Sequence, residues 1–305
     1  MRNVLFRASV LGAILASALL FSGRDAQSQS TDPLKGVQTV YGSIPADQIE
    51  FLSSGDRIKA VTASGSMTAI WETLEHGERV ECLDCIPAVE PLLYDANPRT
   101  REIAAWWLRR RLFGVFGPGE VYEKTIGVLK NDPNPQRRAY AANALGEFLS
   151  APGIDACAEA VQKDADPTVR AAAASALGRL NDDGKGALSK ALADGDARVK
   201  LAALGSATRV NGFGDAPAVA ALLGDRDANV RRRSAEALGT LRAKDASAAL
   251  TALAKNDPDP NVRSAACHTL GVVGDAQARP VLEDLAKNDR DGFVRDMAQI
   301  ALRRL

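Results

Sequence analysis

An aspartate followed six residues later by a basic side chain recurs seven times in this chain of 305 residues. Successive aspartates are 30 to 37 residues apart, and most are separated by 31 or 32. The pairs are Asp95 with Arg101, Asp132 with Arg138, Asp164 with Arg170, Asp194 with Lys200, Asp225 with Arg231, Asp257 with Arg263 and Asp289 with Arg295. A fixed period of this length is typical of a solenoid, whose units bury their apolar faces only by stacking on one another.

Each unit has the pattern of a helix, a turn and a second helix. Two residues after each leading aspartate comes an Asn or Asp, which can cap a helix. In four units a proline follows, and the first helical position tolerates proline because its N–H has no partner there. Apolar residues nine, twelve, thirteen and sixteen after the aspartate form one helical stripe, as in Ala173, Ala176, Leu177 and Leu180. The sequence therefore predicts an all-α fold, an α-α superhelix of about seven helix pairs.

A glycine lies near the end of several second helices. It either stops the helix or lets neighbouring helices approach closely, and we favour close packing because an apolar residue often follows two positions later. These glycines are Gly146, Gly178, Gly239 and Gly271.

The recurring residues have the form Asp-x-(Asp/Asn)-Pro-x-Val-Arg-x-x-Ala-Ala-x-Ala-Leu-Gly. This pattern resembles the short HEAT-like repeat of phycobilisome-lyase-type proteins, and the similarity covers residues 85–305. The resemblance implies a right-handed superhelix with the second helices on its inner, concave face, and it implies no single activity. It also implies a structural ladder that ties adjacent turns together through Asp132, Arg138, Asp164, Arg170, Asp225, Arg231, Asp257 and Arg263.

The amino end has the layout of a signal peptide. Arg2 and Arg7 precede an apolar run over 8–21, which is shorter than the ~20 residues of a membrane-spanning helix, and small residues follow at 26–28. We predict cleavage after Ser28, with an uncleaved anchor as the alternative. The expected protein is exported, periplasmic or extracellular, with no stable membrane insertion after cleavage. Residues 29–84 are predicted as a linker and a helical cap, with a helix over 66–75.

Four cysteines have two predicted roles. In an exported protein Cys82 and Cys85 are expected to form a local disulfide. A redox-active pair is the alternative, but no thioredoxin-like context surrounds it, and a zinc site lacks further ligands. Cys157 and Cys267 are expected to be buried as small apolar residues.

No catalytic chemistry is predicted. The chain has two histidines, His76 and His268, and neither has neighbours at the spacing that a base, a nucleophile or a metal site requires. We therefore predict a protein that is not an enzyme, with no cofactor and no metal. With 38 basic and 38 acidic side chains the net charge is near zero, which argues against a nucleic-acid partner.

The predicted function is a protein-interaction scaffold that binds a protein or peptide on the concave face of the solenoid. Aromatic residues in the first two units are of a type enriched at interfaces, although the amino-terminal cap is an alternative cover for Trp106. The predicted contact residues are Ile103, Trp106, Tyr140, Asn143, Arg232, Arg233 and His268. The alternative function is redox or metal handling through Cys82 and Cys85. Exposed apolar residues on the last helix, Phe293, Met297 and Ile300, also predict self-association through the carboxy-terminal repeat.

Overall fold

The computed structural model describes residues 38–39, 42–43, 53–78, 80, 82–112, 119–181 and 186–305. The predicted signal peptide, residues 1–28, lies outside these residues. Within them the regular secondary structure is helical except for a pair of two-residue antiparallel strands, β1 (Gln38–Thr39) and β2 (Gly42–Ser43). No helix in the described ranges combines the length and the apolar character needed to cross a bilayer.

An amino-terminal cap of two helices precedes seven helix pairs. The cap helices are α1 (Gly55–Ser64) and α2 (Met67–His76). The pairs are α3 (Ile86–Val89) with α4 (Pro98–Leu112), α5 (Glu120–Asn131) with α6 (Pro135–Phe148), α7 (Pro152–Lys163) with α8 (Pro167–Arg179), α9 (Ala187–Leu192) with α10 (Ala197–Ala207), α11 (Ala216–Ala221) with α12 (Ala228–Thr240), α13 (Ser247–Asn256) with α14 (Pro260–Val273), and α15 (Arg279–Asn288) with α16 (Gly292–Leu302). The predicted solenoid of seven units is confirmed.

Several first helices are lengthened or preceded by 3-10 turns. The turns flanking α3 are Leu83–Cys85 and Glu90–Tyr94, and the others are Leu222–Gly224, Lys244–Ala246 and Ala276–Ala278.

The second helices begin where the sequence predicts, because each predicted cap side chain accepts a backbone N–H of the first turn. In unit three, for example, the carboxylate of Asp166 accepts from the N–H of Thr168 at 2.7 Å. The capping residues are Asn97, Asn134, Asp166, Asp196, Asp227, Asp259 and Asp291.

Neighbouring second helices pack on each other through the predicted stripe and its glycines. Ala173, Ala176 and Leu177 are buried. A Cβ on Gly146 would lie 2.9 Å from the Cα of Ala176, and a Cβ on Gly271 would lie 2.8 Å from the Cα of Ala301. The close-packing interpretation of these glycines is therefore confirmed.

Helix α1 lies in the predicted segment of linker and cap, ahead of the one helix that the sequence predicts there over 66–75. Ser54 caps it by accepting from the N–H of Arg57, and Ile58 is fully buried. The apolar pattern of this helix is weak, so contacts with the rest of the cap stabilise it more than its own amphipathicity does. Helix α1 could therefore be identified only from its packing in the three-dimensional structure.

The cap is attached to the first unit by two side chains of α4. The indole N–H of Trp107 donates to the carbonyl of Gly77 at 3.1 Å. Arg111 lies over the Trp107 ring and donates to the carbonyls of Gly77, Glu78 and Val80. The turn after α2 is thereby fixed onto the first unit.

Candidate partner-binding surface

The second helices present a common surface, which we call the second-helix face. It consists of the residues four, eight and eleven positions after each leading aspartate, and most of them are exposed or half-buried. In units three and four the last two positions carry small residues, Ala172, Ser175, Ala202 and Gly205. The bulky side chains lie towards the two ends of the array.

Three of the four predicted contact residues of the first two units are accessible on this face. Trp106 and Tyr140 are half-buried and Asn143 is exposed. Ile103 is only 3% exposed and belongs to the hydrophobic core, so its prediction as a contact residue is wrong. The repeat pattern treats all units alike, whereas α4 also packs against α2 of the cap, and that contact adds core to the first unit.

A cleft of about 250 Å³ opens between α4 and α6 and extends to α8. The Arg101 guanidinium lies 3.8 Å from the centre of the Tyr140 ring, a cation–π contact. Arg179 forms an ion pair with Glu147. The lining is completed by Leu93, Pro98, Glu102, Ala105, Asn143 and Ala144.

Charged pairs connect successive units along one edge of the solenoid. Arg138 donates through Nε to Asp164 Oδ2 at 2.7 Å and through Nη2 to Oδ1 at 2.9 Å. Its Nη1 donates to the carbonyl of Asp132 in its own unit. The same arrangement joins Arg170 to Asp194, Arg231 to Asp257 and Arg263 to Asp289, and Lys200 pairs with Asp225.

These pairs hold the aspartates in the charged form. The hydrogen bond from Arg170 keeps the pKa of Asp194 below its ordinary value, although burial acts in the opposite direction. The pKa of Asp289 is lowered in the same way by Arg263. For the half-buried cap Asp196, hydrogen bonds from the Arg198 side chain and then from its backbone lower the pKa to about 2.

The first junction departs from this arrangement. Asp132 Oδ2, the atom that the preceding unit's arginine would contact, accepts instead from Nε of Arg137 at 2.8 Å. Arg101 pairs with no carboxylate among the described residues. The prediction that Asp132 ties adjacent turns together is therefore wrong, because Arg137 competes for its carboxylate.

A sequence signal for this departure exists. The residue five positions after the leading aspartate is valine in units three to seven, and in unit two it is Arg137. Each of those valines is fully buried, whereas Arg137 is exposed and lies over the Tyr94 ring. This difference at the valine position is the signal that marks the first junction in the sequence.

The remaining predicted contact residues lie on other helices and are not brought to the cleft. Arg232 and Arg233, on α12, both form ion pairs with Glu236. His268, on α14, is exposed, and its Nε2 lies 3.2 Å from Nη1 of Arg304. At the far end of the face Phe293 is 59% exposed.

The two cysteine groups differ in bonding and burial. The sulfur atoms of Cys82 and Cys85 are bonded, 2.07 Å apart, with Cys85 buried and Cys82 half-buried. Cys157 and Cys267 are buried, and burial raises the pKa of each thiol to about 12. The described part of the chain contains no group of three side chains arranged to hold a metal ion.

The helix pairs match a known family. A model of HEAT repeats matches residues 122–208 and 216–303, more than half of the chain. The chain belongs to the HEAT repeat family. A search of curated proteins finds no significant match.

Solved structures similar to this HEAT-repeat chain have low sequence identity. YibA of Escherichia coli is 18% identical with a TM-score of 0.54, covering 82% of this chain and 92% of its own. Human deoxyhypusine hydroxylase, solved in complex with glycerol, is 19% identical with a TM-score of 0.36, covering 82% and 95%. The CpcE–CpcF complex of phycocyanin lyase from a Nostoc species is 20% identical with a TM-score of 0.40, covering 72% and 94%. The likeness to YibA supports the fold alone.

Proposed function

We propose that this HEAT-repeat protein is an exported, non-catalytic scaffold that binds a protein or peptide on the second-helix face of its first two units. The observation that carries the proposal is the cleft between α4 and α6, where aromatic, amide and guanidinium groups meet. The concave face of a solenoid is the surface that such arrays offer to extended partners.

The side chains of the cleft suit a binding site. Tyrosine, tryptophan and arginine dominate the energy of protein interfaces. Tyr140 is held by the stacked Arg101 guanidinium, so its rotamer is restricted before a partner arrives, and the entropy lost on binding is smaller. Asn143 is exposed beside it and offers both a donor and an acceptor to a peptide backbone.

Site-specific photo-crosslinking tests the proposal. A photoreactive benzoyl-phenylalanine replaces exposed Asn143 on the second-helix face, and in a matched control it replaces exposed Ala249 on α13, a first helix. In the source cells we expect a defined protein adduct from position 143 and none from position 249. The adduct should be lost when Trp106→Ala and Tyr140→Ala are added, in a variant whose circular dichroism matches the parent. Equal labelling from both positions would contradict the proposal.

The second candidate, redox handling through Cys82 and Cys85, is favoured by the half-buried Cys82 next to Leu83, which is 65% exposed. Cys82→Ser combined with Cys85→Ser separates the two functions. The scaffold proposal expects the Asn143 adduct to persist in this variant. Loss of the adduct with an unchanged circular dichroism spectrum would favour the redox function.

A further inference from the structure

We propose that the partner places an aspartate or glutamate side chain in the cleft, where Arg101 binds its carboxylate through Nε and Nη2. This inference deepens the proposed function and rests on it, because it specifies the chemistry of the partner segment. The expected ligand is an extended peptide in which one acidic residue is flanked by uncharged ones.

The equivalents of Arg101 in later units bind carboxylates. In four of them the arginine six positions after the leading aspartate binds a carboxylate with two parallel hydrogen bonds, as Arg263 binds Asp289 at 2.9 and 2.8 Å. Such bidentate pairs are the strong form of the arginine–carboxylate interaction. The same guanidinium edge therefore has an established binding chemistry within this molecule.

Arg101 is anchored like its equivalents. Its Nη1 donates to the carbonyls of Asp95 and Ala96 at 2.6 and 2.9 Å. In unit three, Nη1 of Arg170 donates to the matching carbonyls of Asp164 and Ala165 at 3.0 and 3.1 Å. The backbone side of the guanidinium is thus satisfied in both units, and only the carboxylate on the other side differs.

The carboxylate that would complete the first junction is already in use. Asp132 accepts from the N–H of Asn134 through Oδ1 and from Arg137 through Oδ2. Arg101 lies over Tyr140 and lines the cleft instead. A cation stacked on an aromatic ring and bound by carbonyls on one side remains able to accept a carboxylate on the other.

The other residues that line the cleft limit which peptides can bind beside Arg101. Arg179 is engaged by Glu147, so Arg101 is the cation available to a carboxylate in the cleft as the structure describes it. Exposed Glu102 lies beside it, and a run of several acidic residues would be repelled there. The apolar walls, Ala105 and Ala144, and the amide of Asn143 favour uncharged flanking residues.

A peptide array tests this chemistry. Blocked ten-residue peptides are made in pairs that differ only by glutamate or glutamine at the centre, with uncharged flanks of varied sequence, and are probed with the labelled full chain. We expect a subset in which the glutamate member binds about tenfold more strongly, because a charge-assisted bidentate pair replaces a neutral hydrogen bond. Arg101→Gln should remove this preference. Lys255→Gln, which removes one positive charge from an exposed position on α13, a first helix away from the second-helix face, should retain it.

Three results would overturn the inference. The first is a wild-type chain with no glutamate preference, and the second is an Arg101→Gln variant that keeps it. In the third, Arg101→Gln lowers the melting temperature as much as Arg263→Gln does, which would mean that a carboxylate of the chain itself already occupies Arg101. If the Asn143 adduct forms while the glutamate preference is absent, the scaffold survives and only the carboxylate inference fails. If both are absent, the scaffold fails as well.

Discussion

The arginine six positions after the leading aspartate has different partners at the first and the last junctions of the solenoid. Between units six and seven, Arg263 is 3% exposed and bound to Asp289. Between units one and two, Arg101 is half-exposed and lies over Tyr140, since Arg137 holds Asp132. Arg137, which replaces the valine of later units, therefore accounts for the difference: Arg263 joins two units, whereas Arg101 faces a cleft. A repeated structural residue becomes available for binding when a local competitor takes its partner.

The largest effect should come from breaking the buried junction. Arg263→Ala leaves Asp289, whose side chain is 5% exposed, without its cation, and should lower the free energy of unfolding by about 3 kcal/mol. Arg101→Ala should cost less than about 1 kcal/mol, as expected for a half-exposed charge that pairs with no carboxylate among the described residues. Urea unfolding followed by circular dichroism at 222 nm measures both. Equal losses would show that the two junctions do not differ in energy.

A second difference between the first unit and the later ones is at the glycine near the end of the second helix. Several later units have glycine there, whereas unit one has Arg109. Gly178→Ala places a Cβ 2.8 Å from the Cα of Ser206 and should cost about 2 kcal/mol through overpacking. Gly205→Ala is the matched control: its Cβ meets nothing within 4 Å, so higher helix propensity should stabilise the protein by about 0.5 kcal/mol. Urea midpoints that shift in the same direction would contradict the close-packing account.

Arg137→Val should convert the first junction into one like the others. Asp132 loses its competitor, Arg101 can return to it, and the completed pair should stabilise the protein by about 1 kcal/mol. The same variant should lose its preference for glutamate over glutamine peptides. Thermal unfolding and the peptide array measure the two effects. A variant that keeps the preference would show that Arg137 does not control Arg101.

The smallest effect should be on acid stability. The folded-state pKa of Asp289 is depressed by Arg263, so its contribution is complete above the unfolded pKa of about 3.9 and is lost as pH falls through the folded pKa. Stability measured from about pH 4 down to about pH 2 should therefore fall less steeply in Arg263→Gln than in the wild type. Arg101→Gln should keep the wild-type slope. A flattened slope in Arg101→Gln would indicate that Arg101 also supports a paired carboxylate.

The sequence by itself determined the periodic part of this protein. Helix caps such as Asp166, core positions such as Leu177 and the glycine crossings depend on residues within one unit or at a fixed spacing, so the repeat predicts them. The closeness of Cys82 and Cys85 could also be anticipated, because the two residues are three positions apart in a local turn.

Only the tertiary structure decided what differs between units. The burial of Ile103, the attachment of the cap through Trp107 and Arg111, and the pairing of Asp132 with Arg137 all depend on contacts that differ from one unit to the next. A repeat pattern predicts the same contacts at every junction, whereas the packed structure shows the contacts of each junction individually. The cleft at Arg101 lies at the junction where one copy departs from the others.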